Sequence, residues 1–287
     1  MNFAKEVTIV IPTLNRPEYL KRALESVESQ TLQPAQVIVV DNASTDETRQ
    51  IVDYFQTKIS NLVYFRHEKK IDAIFNWIFS VQKVETRFCK IVWDDDWLEP
   101  NCIERLVFLQ KEFNADVVLT GAFGHVNGNE YLWYQQEEFN VSEWRFVFPK
   151  IAMRALPNSP LAGLHLTSDI LFALEKFEYS PAAISESLVV GPDLVINFLA
   201  AAENRCIVFT PEPLVHMFGD GQNMTGQYEK LLPSFYKDAL IRLCEHASMK
   251  LTLVDKVLLN RMTTYGFSIQ NLFYKMLGRL LVRSKRG

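Results

Sequence analysis

Three polar clusters interrupt the apolar strands of this 287-residue chain: Pro12-Thr-Leu-Asn-Arg16, Asp41-Asn-Ala-Ser-Thr-Asp46 and Asp94-Asp-Asp96. The last says most about chemistry. Three adjacent carboxylates repel one another, and a folded chain seldom places them beside a buried strand without a cation. Hard oxygen ligands suit Mg²⁺ or Mn²⁺, which bind one or two carboxylates together with substrate phosphate oxygens. The bland alternative is a solvated loop before a helix, with Pro100 in its first turn. Asp41 ends an apolar strand, where it can accept hydrogen bonds from a base or ribose, although Asp-Asn-x-Ser is also turn chemistry. Neither GxxxxGK[ST] nor GxGxxG occurs, so a metal ion is the natural neutraliser of a diphosphate.

The elements that would position these clusters alternate. Val7-Thr-Ile-Val-Ile11 reads as a strand buried on both faces and ended by Pro12. Pro17 opens a helix with Leu20, Ala23, Leu24 and Val27 on one face. Val37–Val40 is a second buried strand, and Ser44-Thr-Asp-Glu47 fits a capping box before a helix with Ile51, Val52 and Phe55. Strand Leu62–Phe65, helix Asp72–Val81, strand Phe88–Trp93, helix Cys102–Phe113 and strand Asp116–Leu119 follow. Strict alternation over 120 residues predicts a parallel sheet with helices on both faces. In such a sheet ligands bind beyond the carboxyl ends of the strands, where all three clusters fall.

Residues 121–160, rich in aromatics, Asn and Gly, read as long loops and hairpins. Trp133, Tyr134 and Trp144 are either an acceptor wall that stacks on sugars or ordinary core. Helix returns after Pro192, strand at Cys206–Phe209, and helix again from Lys230. At 48% hydrophobic residues the chain can bury one α/β domain with an appendage. A formal net charge of −4 argues against a nucleic-acid binder. Cys89, Cys102, Cys206 and Cys244 form no CxxC pair and read as free thiols of a reducing compartment. No signal peptide or membrane-spanning run is visible, so a cytoplasmic protein is expected.

The runs Val7-Thr-Ile-Val-Ile-Pro-Thr-Leu-Asn-Arg16, Val37-Ile-Val-Val-Asp-Asn-Ala-Ser-Thr-Asp46 and Trp93-Asp-Asp-Asp-Trp-Leu-Glu-Pro100 resemble glycosyltransferase family 2. The resemblance covers roughly residues 5–220 and is densest over the first 100. It implies a GT-A, Rossmann-like α/β fold: a mostly parallel central sheet flanked by helices, with a C-terminal helical extension. It divides the chain into a glycosyltransferase domain over 1–225, with a nucleotide-binding half at 1–120 and an acceptor half at 121–225, and an extension over 226–287.

The resemblance also implies roles. Pro12, Thr13, Asn15, Arg16, Asp41, Asn42, Ser44, Asp94 and Asp95 would bind the nucleotide-sugar donor, with Asp41 toward the base. Asp96 would hold the metal, Mn²⁺ or Mg²⁺, and Asp46 would be structural or capping. Many family members carry an Asp where this chain has Trp93. His67-Glu-Lys-Lys-Ile-Asp72 also departs from the family's usual Asn and Gly, while Asn76 matches a common structural Asn. In Gly191-Pro-Asp193, Asp193 matches the family's catalytic base; by residue type alone it is a carboxylate suiting the helix dipole. His216, in Pro213-Leu-Val-His-Met-Phe-Gly-Asp220, matches a position where relatives place a metal-facing His.

The implied reaction is an inverting transfer of sugar from a nucleoside diphosphate donor, a UDP-sugar by family habit, to a hydroxyl acceptor. A saccharide or lipid-linked saccharide of a bacterial surface-polysaccharide pathway fits that acceptor. The tail from Lys275 carries Arg279, Arg283, Lys285 and Arg286 between apolar residues. It suits docking on the inner face of an anionic membrane, at about 1 kcal/mol per basic residue; a solvated helix or a homo-oligomer contact is the other reading. Two rivals stand beside the enzyme: an inactive scaffold of the same fold, and a sugar nucleotidyltransferase. The latter's Gly-rich basic loop is absent after the first strand.

Overall fold

The computed structural model describes residues 3–126, 128–134, 137–153, 155–179, 184–185, 188–189, 191–219 and 232–264. The basic tail from Lys275 lies outside the described residues.

The first half follows the periodicities closely. Strands β1 (Val7–Thr13), β2 (Gln36–Asp41), β3 (Leu62–Arg66) and β4 (Phe88–Ile91) are joined through helices α1 (Pro17–Glu28), α2 (Thr48–Gln56) and α3 (Ala73–Gln82). They pair in parallel in the order β3-β2-β1-β4. Val7, Ile9, Ile11, Val37 and Val39 pack with α1, α2 and α4 (Cys102–Phe113) on one face. Val10, Ile38 and Val40 pack with α3 and later helices on the other. This double burial is why the strands read as continuous apolar runs rather than alternating ones.

Pro12 does not end β1, which continues through Thr13. Val10 accepts from the Val92 N–H, so alternate residues of β1, Pro12 included, face the β4 side. β4 ends at Ile91, and the missing proline N–H leaves no ladder bond unmade. The capping box also differs. Asp46 Oδ1 accepts from the Thr48 N–H (3.0 Å) and hydroxyl (2.6 Å), while Ser44 is used elsewhere. Asp46 is thus a capping residue, and Asn76 is structural, buried with its Oδ1 3.1 Å from His67 Nε2.

The second half is mixed rather than parallel. After the short β5 (Trp97–Leu98) and α4, strand β6 runs over Val117–Val126, far past the expected Leu119, and turns into β7 (Asn129–Trp133). The β6–β7 hairpin lies in the stretch expected as long loops and hairpins, and so do β8 (Phe139–Val141) and the unexpected helix α5 (Trp144–Ala152); Trp144 is core, 4% exposed. β9 (Gly163–Leu166) enters antiparallel between β4 and β6. It leads to α6 (Thr167–Glu175), the hairpin β10 (Ile184–Ser185) with β11 (Leu188–Val189), and α7 (Pro192–Ala202).

β12 (Ile207–Gly219) pairs in parallel with β6 and antiparallel with β5 and β8. Its register shifts between Thr210 and Val215, around Pro211 and Pro213. The Pro211 carbonyl oxygen there would lie 2.5 Å from any Cβ at residue 121, so only glycine fits. Helices α8 (Leu232–His246) and α9 (Leu253–Thr264) follow. Among the described residues no helix is long and apolar enough to cross a membrane. All four cysteines are free.

Candidate active site

The chain adds β2 and β3 on one side of β1 and β4 on the other, so the strand order reverses between β1 and β4. Crevices form at such switch points, beyond the carboxyl ends of the strands. Here Thr13 Oγ1 donates to Asp94 Oδ2 at 2.8 Å. Arg16 Nη1 reaches both Asp94 Oδ1 (3.2 Å) and Asp95 Oδ2 (3.1 Å). Arg22, on α1, donates to the Asp95 carbonyl, and Asp96 Oδ1 accepts from the Phe218 N–H at 2.8 Å. The first and third expected clusters are therefore one structure.

Its electrostatics are dominated by burial. Burial pushes the Asp94 carboxyl up to about 6, against the pull of Arg16 and with the push of Asp95. Burial and then Asp95 raise Asp96 well above the ordinary carboxylate range, with Arg22 opposing least. Two buried acids in one turn hold their charge poorly until positive charge is added. The donors are all oxygen, which fits Mn²⁺ or Mg²⁺. The three carboxylates do not converge on one point as a ligand group, so an ion there would take one or two of them, as these ions do beside phosphates.

The second cluster is stitched rather than open. Asp41 is 1% exposed; its Oδ1 accepts from Ser44 N (2.7 Å) and its Oδ2 from the Tyr64 hydroxyl (2.6 Å), with Arg66 Nε at 3.4 Å. Ser44 Oγ accepts from Asn15 N, and Asn15 Oδ1 from Thr45 N, both at 2.9 Å. Asn42 clamps Ile71 through both its side-chain N–H and its side-chain carbonyl. These residues fix the loop walls after β1 and β2. Tyr64 and Arg66, which hold Asp41, carried no motif signal; alternation along β3 toward Asp41 is the one clue to them.

Asp193 comes from the far half. Gly191 sits at φ +113°, a conformation L side chains rarely adopt, and Pro192 then begins α7. Asp193 Oδ1 accepts from the Gly191 N–H at 3.2 Å and Oδ2 from the Tyr236 hydroxyl of α8 at 2.6 Å. Burial raises its pKa; the Tyr236 bond and the N–H groups of Gly191, Asp193 and Leu194 pull it back. Asp193, Pro12 and Trp93 line a common cavity of about 10 Å³ with Val10, Trp77 and Pro160, which holds one water at most. The base candidate thus reaches the switch point from behind. Tyr236 lies 43 residues away along the chain and was invisible to motif reasoning.

His216 pairs in register with Trp97, the residue after Asp96. Its Nε2 lies 2.6 Å from Glu99 Oε1 and its Nδ1 2.9 Å from His125 Nε2.

Residues 8–166 match the model of Glycosyl transferase family 2. The chain is similar to Glycosyltransferase GlyG of Streptococcus pneumoniae, at 29% identity over 139 residues, 48% of this chain and 46% of that protein. It is also similar to Abequosyltransferase RfbV of Salmonella typhimurium, at 30% over 117 residues, 39% and 34% of the two chains. A third is the GalNAc(5)-diNAcBac-PP-undecaprenol beta-1,3-glucosyltransferase of Campylobacter jejuni, at 25% over 139 residues, 48% and 41%. The chain spans less than half the length of these curated relatives. In fold it resembles S. aureus TarS 1–349 in complex with UDP-GlcNAc, with a TM-score of 0.64 and 19% identity over 90% of this chain and 71% of that one. With the matched model extending over more than half of its residues, from the first strand through β9, the chain belongs to glycosyl transferase family 2.

Proposed function

We propose that the chain transfers a glycosyl group from a nucleoside diphosphate sugar to a hydroxyl acceptor, with inversion at the anomeric carbon. The observation that supports this reading is that Asp193 lines a cavity with Pro12 and Trp93, the residues that directly precede Thr13 and the acidic turn at Asp94–Asp96. Thr13, Arg16, Asp94 and Asp95 line the donor side, between walls fixed by Asn15, Asp41, Asn42 and Ser44. Asp96, with a neighbour of the same turn, would hold Mn²⁺ or Mg²⁺ against the diphosphate. Bound there, the ion supplies charge compensation for the departing diphosphate.

Asp193 accepts the proton of the attacking hydroxyl. Its raised pKa is what a general base needs near neutral pH, and the Tyr236 hydroxyl keeps one oxygen oriented. A carboxylate on the face opposite the leaving group gives single displacement and inversion without a covalent sugar. A UDP-sugar is the donor to try first, because TarS was crystallised with UDP-GlcNAc. The relatives that carry RfbV and undecaprenol-linked activities favour a saccharide or lipid-linked acceptor.

The test is a thermal-shift screen of nucleoside diphosphate sugars with and without Mn²⁺, followed by donor turnover for the wild type and Asp96→Ala. Mn²⁺-dependent stabilisation by one donor, with turnover lost in Asp96→Ala, is expected. Equal residual rates in both would point to a binding subunit instead.

A further inference from the structure

We propose that His125, Glu130 and His216 form a second metal site, separate from the acidic turn, for a divalent ion of the zinc class. Among the described residues these three offer ligand atoms that all lie within 4.8 Å of one another. His125 Nε2 is 2.9 Å from His216 Nδ1 and 3.7 Å from Glu130 Oε2. Bonds of ~2.1 Å in a tetrahedron set neighbouring ligands ~3.4 Å apart, so these two spacings need shift by only a few tenths of an ångström. Two imidazoles and a carboxylate are borderline ligands, unlike the all-oxygen turn at Asp94–Asp96.

The proton arrangement supports a cation here. The Glu99 carboxylate can only accept, so the 2.6 Å contact assigns a proton to His216 Nε2. Nδ1 of the neutral ring is then a lone pair, aimed at His125 Nε2. Glu130, on the other side of that nitrogen, is again an acceptor. A proton on His125 Nε2 pairs that nitrogen with His216 Nδ1 and leaves the Glu130 carboxylate at 3.7 Å outside the bond, whereas a divalent ion would take all three groups as ligands.

A carboxylate on the outer nitrogen of a ligating histidine is the usual means of fixing its tautomer, and Glu99 occupies that place. The His216 ring cannot swing, because it lies between Trp97 (4.7 Å, 9°) and Phe123 (4.7 Å, 16°). Glu130 has a half-exposed side chain, which leaves an entry path. Occupied, the site would clip the β6–β7 hairpin to β12 and β5. Trp97 also stacks under Arg22, whose Cζ is 3.9 Å from its ring centroid, so the clip would steady the arginine that holds the Asp95 carbonyl.

The test titrates the full chain, stripped with chelator and returned to chelator-free buffer, with CoCl₂ followed by visible absorption, then with ZnCl₂ in competition. One equivalent of Co²⁺ giving intense low-coordination bands, displaced by Zn²⁺, is expected. His125→Asn should weaken Co²⁺ binding at least 100-fold. Glu130→Gln, on an exposed side chain that folding does not need, should weaken it about tenfold, and Glu99→Gln about 10- to 100-fold. Asp96→Asn should leave the bands in place. Bands that survive both His125→Asn and Glu130→Gln, or that vanish in Asp96→Asn, would overturn the proposal and return the ion to the acidic turn.

Discussion

The acidic turn at Asp94–Asp96 and the first turn of α7 both raise carboxylate pKa values by burial, but they differ in what opposes that rise. In the turn Asp94 and Asp96 are each raised further by neighbouring carboxylates, and the opposing groups include the charges of Arg16 and Arg22. At Asp193 no second carboxylate intrudes; a tyrosine hydroxyl and backbone N–H groups oppose burial instead. Mutual repulsion is relieved by added positive charge or by protonation, whereas a lone acid is opposed only by dipoles. On the proposed reading the first region takes a cation and the second a proton.

The hardest blow to that contrast would come from Asp193→Asn. General-base catalysis contributes about 10²- to 10⁴-fold, so kcat should fall by that factor while the Mn²⁺ and donor dependences stay put. Steady-state kinetics at saturating donor measures it. Retained turnover would make Asp193 only a helix-end residue.

Next in size is the cation effect. Mn²⁺ at 100 times its dissociation constant should stabilise the fold by about 2.7 kcal/mol, read as a rise of several degrees in Tm. Asp96→Asn should abolish the rise and Asp193→Asn should keep it. Loss of the rise in Asp193→Asn would mean that the two regions are a single ion site.

Tyr236→Phe sharpens the other side. The hydroxyl bond pulls the Asp193 pKa down, so its removal should move the acid limb of the kcat profile to higher pH. At a fixed pH below that limb, kcat should fall about tenfold if the limb moves by one pH unit. An unchanged profile with a lowered Tm would reduce Tyr236 to packing.

How far each region could be read from sequence follows the same divide. β1 to α4 form through local periodicity and short-range connections, and Thr13, Arg16 and Asp94 meet because the strand order requires it. β9 could not be foreseen. Gly163–Leu166 is only four residues long, and it gains its place from strands far upstream, pairing Leu166 with Phe88 of β4 and His165 with Val117 of β6. α5 carries Pro149 inside it, against local propensity. Asp41, Asn42, Asn15 and Ser44, expected at the donor, also grip neighbouring loops. The residue type of a loop position does not announce such partners, which only the fold reveals.

The smallest predicted effect tests the strap between the two regions. Ser159 Oγ accepts from the Trp93 indole N–H at 3.2 Å, directly before the acidic turn. Asn197 of α7 donates to the carbonyls of Pro157 (2.7 Å) and Ser159 (3.3 Å), and its Oδ1 lies 2.8 Å from Nε2 of the buried His165. Residues 157–159 therefore tie the indole beside the triplet to the helix whose first turn holds Asp193. Ser159→Ala removes the indole's acceptor and keeps the carbonyl contacts, at a cost of about 1 kcal/mol in stability. If the strap sets the spacing of the two carboxylate regions, the Mn²⁺ midpoint and kcat should both move by a few-fold. A lowered Tm with neither of them moved would make the strap a packing element and leave the two regions positioned independently.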